Sequence, residues 1–161
     1  MIVVADTSVI LNLCRVQYER LLQPLFGRVV VPAEVASEFI RLSTAEARFT
    51  GLTLPVWIEI EPGPHSVPRE ARTANLDAGE TAAIALGLKL AADALLMDEK
   101  LGREVANRLG LRTIGILGVL LEARRRGLIP RVEAVLDRLE AEVGFWVAPA
   151  LRQHVLRLAG E

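Results

Sequence analysis

The sequence has a single cysteine, no long hydrophobic run and few lysines. Cys14 cannot form a disulfide within the chain, so the composition favours a reducing compartment. No apolar stretch approaches the ~18 residues of a membrane-spanning helix, because charged residues interrupt each one. The first residues carry no basic segment, and their short apolar run ends at Asp6, which is unlike a signal peptide. We therefore expect a soluble cytoplasmic protein that does not associate with membranes.

Glycine motifs for nucleotide binding are also missing. The chain has no Gly-x-x-x-x-Gly-Lys-Ser/Thr loop, and no Gly-x-Gly-x-x-Gly follows its first apolar run. A phosphatase with an aspartyl nucleophile at the end of a strand would need a second aspartate two residues after Asp6, where this chain has Ser8. These absences argue against a nucleotide-binding fold and against an aspartyl phosphatase.

The composition is that of a folded protein with nearly balanced charge. The 161 residues are 52% hydrophobic and 24% charged, which is enough for one domain with a sizeable core. The 19 basic and 20 acidic residues give a net charge of -1, so we expect no bulk attraction to nucleic acid. This balance does not exclude a local basic patch beside a local acidic site. Arginine greatly outnumbers lysine, which suits phosphate contacts but is equally typical of a GC-rich or thermophilic source.

Short apolar runs alternate with helical patterns along the chain. We predict strands at 2–5, 28–31, 57–60, 94–97 and 112–114. We predict helices after residue 7, at 33–43, from 77 to about 90, and at 100–109, 116–126, 130–143 and 149–158. Thr7 or Ser8 is the expected cap of the first helix, and Asp77 with Glu80 forms a capping-box pattern. The region 44–76, with its three closely spaced prolines, has the weakest pattern.

This alternation predicts an α/β fold with a mostly parallel central sheet. We find no repeat, low-complexity tract or linker, and therefore expect a single domain over 1–161. The helices from about 130 to 161 would form a C-terminal extension. Their apolar faces are open to three interpretations: core packing, a dimer interface or a groove for a partner protein.

Acidic residues follow two of the predicted strands. Asp6 ends the first strand and Asp98 the fourth, where ligands of parallel sheets bind. Two glutamates are candidates to join them: Glu38, on the helix after the second strand, and Glu80, in the first turn of the helix that begins near Asp77. Each acid also has a structural interpretation, because Asp often caps a helix, Glu80 completes the capping box and helical glutamates are commonly solvated. Glu34 competes with Glu38 for any functional role.

Together, the four carboxylates predict a site for a divalent cation. Charges ~4 Å apart in a partly shielded site repel by about 4 kcal/mol per pair, so such a cluster takes up protons or holds cations. Oxygen ligands without nearby His or Cys select Mg²⁺ or Mn²⁺ over zinc. One or two such ions would support metal-assisted hydrolysis of a phosphodiester.

The motifs around these acids resemble those of the PIN-domain family of Mg²⁺/Mn²⁺-dependent ribonucleases. The segments that carry the resemblance are VVADTS at 3–8, VPAEVASE at 31–38, LDAGE at 76–80 and LLMD at 95–98. The second of them favours Glu38 over Glu34. The segment 110–127 is similar to a bacterial and archaeal subgroup described as VapC-like toxins. Together these motifs cover most of residues 1–130.

The resemblance implies a three-layer α/β/α PIN fold in which Asp6, Glu38, Glu80 and Asp98 bind the metal and catalyse hydrolysis. It also implies an endoribonuclease that cleaves RNA, is neutralised by a small antitoxin protein and forms a homodimer. Thr7 and Ser8 match the first motif and would support Asp6.

Two departures from the family pattern leave a second function open. Glu80 is one methylene longer than the usual aspartate, and Leu96 replaces a Thr or Ser that many members carry. A catalytically silent PIN-fold module that binds RNA or a protein partner is therefore the alternative.

A few residues outside the acidic set are candidates for RNA contacts. Arg103 follows the last acid by five residues and is a candidate for the scissile phosphate. Arg124, Arg125 and Arg126 either hold RNA phosphates or simply complement the end of a helix. The scattered aromatic residues, including Trp146, suggest packing rather than a platform for stacking bases.

Overall fold

The computed structural model describes all residues from Met1 to Glu161 and contains one five-stranded parallel sheet. Its strands are β1 (Ile2–Ala5), β2 (Arg28–Pro32), β3 (Glu59–Glu61), β4 (Ala94–Leu96) and β5 (Thr113–Ile114). The order across the sheet is β3-β2-β1-β4-β5. The predicted α/β class and parallel sheet are confirmed.

Helices occupy most of the rest of the chain. They are α1 (Thr7–Arg15), α2 (Leu22–Phe26), α3 (Ala33–Ala45), α4 (Arg69–Thr73), α5 (Ala78–Lys89), α6 (Lys100–Arg108), α7 (Ile116–Arg125), α8 (Val132–Val143) and α9 (Pro149–Leu158). The sequence patterns found all of them except α4; the helical spacing predicted after residue 7 extends over Leu22 and Leu25 of α2. The five-residue α4 is too short to show a hydrophobic period. None of the helices is both long and apolar enough to cross a bilayer.

Alternate residues of the strands face two separate hydrophobic cores, which makes the domain three-layered. Val3 and Ala5 of β1 face the larger core, to which α1, α3, α7, α8 and α9 contribute. Val4 faces the smaller core with α5 and α6. Because both faces of the sheet are covered, its central strands are apolar throughout, as the runs in the sequence indicated.

The chain reverses its direction of winding between β1 and β4. From β1 it proceeds to β2 and β3 on one side, then crosses back to β4 on the other side of β1. The carboxyl ends of β1 and β4 therefore lie side by side at a topological switch point, where ligands of open α/β sheets bind. The Asp6 N–H, which donates to the Leu96 carbonyl at 2.9 Å, ties the two strand ends together.

The C-terminal helices pack onto the larger core rather than forming a separate unit. Val135, Leu139 and Val155 are buried in that core. The side chain of Glu161 accepts hydrogen bonds from the backbone N–H groups of Val132 (2.6 Å) and Glu133 (3.1 Å) at the start of α8. This contact fastens the chain end beside α8 and keeps α9 against the domain.

Candidate functional site

Asp6 lies at the N-cap position of α1 but does not cap it. Its side chain accepts no capping hydrogen bond, and the residue is only 5% exposed. Burial raises the pKa of its carboxyl to about 7; the Thr7 N–H opposes this shift, and the charges of Asp77, Glu80 and Glu38 add to it. Asp6 is thus a buried acid whose side chain does not cap the helix.

Asp98 follows β4 and points away from the helix that comes next in the chain. Glu99 is the N-cap of α6, whereas Asp98 Oδ1 accepts from the backbone N–H of Ile116 at 2.9 Å, at the start of α7. Its Oδ2 is buried and has no hydrogen-bond partner. Burial raises the pKa of Asp98, while the Ile116 N–H and the charge of Arg103 lower it. The unpartnered Oδ2 is a buried oxygen free to bind a ligand.

Glu38 is held by a residue of the first motif. The hydroxyl of Thr7 donates to Glu38 Oε2 at 2.7 Å, and the guanidinium of Arg41 lies 3.7 Å from Oε1. The prediction that Thr7 or Ser8 caps α1 is wrong, because Thr7 is already inside the helix and its hydroxyl bonds Glu38. Thr7 therefore orients Glu38 rather than Asp6.

Glu80 has the structural role that its sequence pattern predicted, and it also lines the pocket of the other acidic residues. It completes the predicted capping box, since Asp77 Oδ1 accepts from the Glu80 N–H at 2.7 Å and Glu80 Oε2 accepts from the Asp77 N–H at 3.1 Å. Burial is the largest cause of the raised pKa of Glu80. The Asp77 N–H opposes this, and the charges of Asp77, Glu99 and Glu38 add to it.

One pocket of about 360 Å³ collects all six residues assigned to the metal site and its support. It is lined by Asp6, Thr7, Ser8, Glu38, Glu80 and Asp98. Asp77 and Glu99 line it as well, and sequence reasoning missed both as site residues. Asp77 was recognised only as a cap; the acidic pair Asp98–Glu99 was the available signal for Glu99. Glu34 does not line this pocket.

The carboxylates share this pocket but are not gathered into a ligand set. No three acidic, histidine or cysteine side chains lie close enough to hold an ion as they stand. Their mutual repulsion accounts for this, because Glu38 and Glu80 are drawn instead to neighbouring donors. The donors are nevertheless those of a hard cation: carboxylate oxygens, no thiol, no imidazole, and one buried oxygen without a partner. Their chemistry fits Mg²⁺ or Mn²⁺.

Comparison with known proteins shows the family to which the chain belongs. A family model described as a PIN domain matches residues 2–161. The chain belongs to the PIN-domain family. Its fold is similar to that of a PilT N-terminus domain protein from the hyperthermophilic archaeon Sulfolobus solfataricus. That likeness has a TM-score of 0.53 and 19% identity, and it covers 74% of this chain and 90% of the other. None of the curated proteins matches the sequence.

The arginines predicted to contact RNA occupy three different settings in this PIN domain. Arg103 lies beside Asp98, whose pKa its charge lowers. Arg125 and Arg126 both pair with Glu122, at 2.6 and 2.7 Å, which matches their structural interpretation at the end of α7. The half-buried Arg124 has an Nε without a hydrogen-bond partner. Of the four arginines, Arg103 is the one that lies beside an acidic residue of the pocket, Asp98.

Two glycines of the PIN domain leave room for the carboxylates. A Cβ at Gly79 would lie 2.5 Å from Glu38 Oε2, and a Cβ at Gly115 would lie 2.6 Å from Asp98 Oδ1. We expect Gly79→Ala and Gly115→Ala each to lower metal-dependent cleavage by roughly a hundredfold, because a shift of about 1 Å in a reacting group has that cost. Neither should lower the melting temperature much, because only a flexible carboxylate must move. Steady-state RNA cleavage and thermal unfolding measure the two effects.

Gly87→Ala is the matched control for the glycine substitutions. It adds the same methyl to α5, but the nearest atom is Leu111 Cδ1 at 3.2 Å, in the smaller core. Alanine improves the helix propensity at both Gly79 and Gly87 by about 1 kcal/mol. Full activity in Gly79→Ala would show that the position of Glu38 does not matter to the reaction.

Proposed function

We propose that this protein is a Mg²⁺- or Mn²⁺-dependent endoribonuclease that hydrolyses phosphodiester bonds in RNA. The observation that carries the proposal is the pair Asp6 and Asp98. Asp6 and Asp98 line one pocket at the adjoining carboxyl ends of β1 and β4, neither caps the helix that follows it, and Asp98 has a buried oxygen without a partner. Burying such groups is costly unless a cation compensates them.

Each acid has a defined part in this proposal. Asp6 and Asp98 would hold the ion, with Glu38 and Glu80 completing its shell or positioning the attacking water. The bound cation supplies a Lewis acid that lowers the pKa of water and neutralises charge on the phosphate. Thr7 fixes the carboxylate of Glu38 through its hydroxyl. Arg103, beside Asp98, is placed to neutralise an RNA phosphate as it approaches.

We further propose that the nuclease is the VapC-like toxin of a type II toxin–antitoxin pair. The segment 110–127 supports this assignment through its resemblance to that subgroup. It implies a small antitoxin partner, a cytoplasmic location and a homodimer. A gene for a small DNA-binding protein immediately upstream would support the pair.

The nuclease proposal is tested with purified protein, single-stranded RNA and Mn²⁺ or Mg²⁺. We expect internal cleavage with either ion, loss of cleavage in EDTA, and recovery when excess Mn²⁺ is restored. Cleavage that persists in EDTA would contradict the metal mechanism and would point to a contaminating ribonuclease or to different chemistry.

A catalytically silent PIN module is the second candidate function. It is favoured by the engagement of Glu38 and Glu80 with neighbouring donors, which leaves no three acids converging on one point. Titration calorimetry with Mn²⁺ separates the two candidates. Binding of Mn²⁺ that is lost in Asp98→Asn supports the nuclease, whereas RNA binding without any Mn²⁺ binding supports the silent module.

A further inference from the structure

A groove of about 1080 Å³ lies on the far side of Asp98 from the acidic pocket. Its walls are β5, α7, α9 and the segment 145–148 that joins α8 to α9. Asp98 and Phe145 line both the groove and the acidic pocket, so the two cavities adjoin at these residues. A polymer whose scissile bond lies at the acidic residues would therefore extend into this groove.

The charge of the groove is opposite to that of the acidic pocket. Four arginines line it, against the two acids Asp98 and Glu122. Glu122 already pairs with Arg125 and Arg126. One positive charge is left over at that end, and one at the other end, where Arg103 and Arg112 stand against Asp98; the exposed Arg112 makes no ion pair. The groove therefore attracts an anionic polymer along its length, including the end next to the acids.

The groove also has an exposed aromatic side chain. Trp146 lies in its wall and is 68% exposed, although the sequence suggested that it would be packed. Phe145, its neighbour in the chain, is half-buried at the junction with the acidic pocket. An exposed indole in the same groove as the unpaired Arg112 is a combination that binds unpaired bases and their phosphates, because every base offers a face for stacking.

We propose that this groove holds single-stranded RNA on one side of the bond to be cleaved, with Trp146 stacking on a base and Arg112 contacting a phosphate. The inference rests on the proposed nuclease function and adds to it a binding surface and two binding residues. A duplex fits poorly, because its bases are stacked inside and offer no face to the indole. The groove thus restricts substrates to unpaired segments, such as loops and ends.

The test measures RNA binding apart from cleavage. A fluorescently labelled single-stranded RNA of mixed sequence is titrated with protein in EDTA, and anisotropy gives Kd. We expect Trp146→Ala to weaken binding by roughly tenfold or more, Trp146→Phe to retain most of the affinity, and Trp146→Leu to behave like alanine. Because Trp146 is exposed, these variants should fold as the wild type does; circular dichroism checks this.

Arginine and tryptophan are expected to differ in their dependence on salt. Arg112→Ala should reduce the slope of log Kd against log salt concentration by about 0.7, the value for one phosphate contact on a single strand. Trp146→Ala should leave the slope unchanged. Arg72→Ala is the matched control, since Arg72 is also exposed, makes no ion pair and lies outside the groove. A duplex of the same sequence should bind more weakly than the single strand.

The outcomes separate this inference from the nuclease proposal. If Trp146→Ala and Arg112→Ala bind and cleave RNA like wild type, the groove proposal is overturned while the nuclease stands. If both weaken binding but no RNA is ever cleaved with Mn²⁺, the groove binds RNA and the nuclease proposal fails. Equal binding by Trp146→Leu and Trp146→Phe, or conversion of a dimer to a monomer by Trp146→Ala in light scattering, would instead assign the groove to a protein surface.

Discussion

Replacing Asp6 by asparagine should reduce RNA cleavage by roughly a thousandfold, because a bound cation contributes several kcal/mol and each 1.4 kcal/mol is about tenfold in rate. Asparagine keeps the size of the side chain but removes the negative charge that would hold the ion. Cleavage of a labelled RNA under saturating Mn²⁺ measures the effect. In cells, the same substitution should relieve any growth arrest caused by the wild-type protein.

Asp137→Asn is the control for this loss. Asp137 lies on the exposed side of α8, where it pairs with Arg152, and it lines neither the acidic pocket nor the groove. Its substitution should leave cleavage unchanged. Cleavage of RNA by the Asp6→Asn protein at the wild-type rate would show that Asp6 is not part of the metal site. It would also contradict the central observation of the proposed function.

The same Asp6→Asn substitution should stabilise the protein in the absence of metal. Burial raises the pKa of Asp6 from its ordinary value of 3.8 to about 7, so the folded protein holds this proton more tightly than the unfolded chain. Between these two values the stability falls as the pH rises, and above pH ~7 the full penalty applies. It amounts to as much as roughly 4 kcal/mol, from about 1.4 kcal/mol per pKa unit.

Urea unfolding in EDTA at pH 8 and pH 4 tests this stability effect. At pH 8 we expect a higher free energy of unfolding for Asp6→Asn than for wild type. At pH 4 the difference should be small, because Asp6 is then largely protonated in the folded protein. Adding Mn²⁺ at pH 8 should stabilise wild type by mass action and leave Asp6→Asn unchanged. A destabilised Asp6→Asn at pH 8 would show that the carboxylate is compensated by the protein itself.

These two expectations have a common physical origin. The fold places Asp6 where a charge without a cation is unfavourable, and the same burial makes the carboxylate a strong attraction for an ion. The free energy lost when no ion is bound would be regained on binding of a cation at this position. The Asp6→Asn substitution should therefore raise the free energy of unfolding measured without metal and lower the rate of RNA cleavage measured with metal.

Much of the fold was predictable because local patterns encode burial. The β-branched run at β1 predicted a strand covered on both faces, and both faces are covered. The capping box of Asp77 and Glu80 predicted the start of α5 correctly, since it depends on residues only three apart. The short helix α4 was not predicted, because its five residues do not complete two helical turns.

The side-chain partners in the site were less predictable. Thr7 follows Asp6 directly, yet its hydroxyl bonds Glu38, which lies on another helix. Asp98 precedes α6, yet it bonds the N-terminus of α7. A sequence motif shows which residues are neighbours in the chain, whereas these hydrogen bonds depend on how α1, α3, α6 and α7 pack. For the same reason, the exposure of Trp146 depends on how α9 lies against α7.

The sequence by itself determined that this protein is an α/β domain with acids at the ends of its strands, and its motifs pointed to the PIN family. Those features follow from hydrophobic periodicity and from residue order, which are local. Only the tertiary structure decided that β1 lies between β2 and β4, so that Asp6 and Asp98 meet at one switch point. It also decided that a basic groove opens beside them. Strand order and groove shape arise from contacts between residues far apart in the chain, which no local pattern specifies.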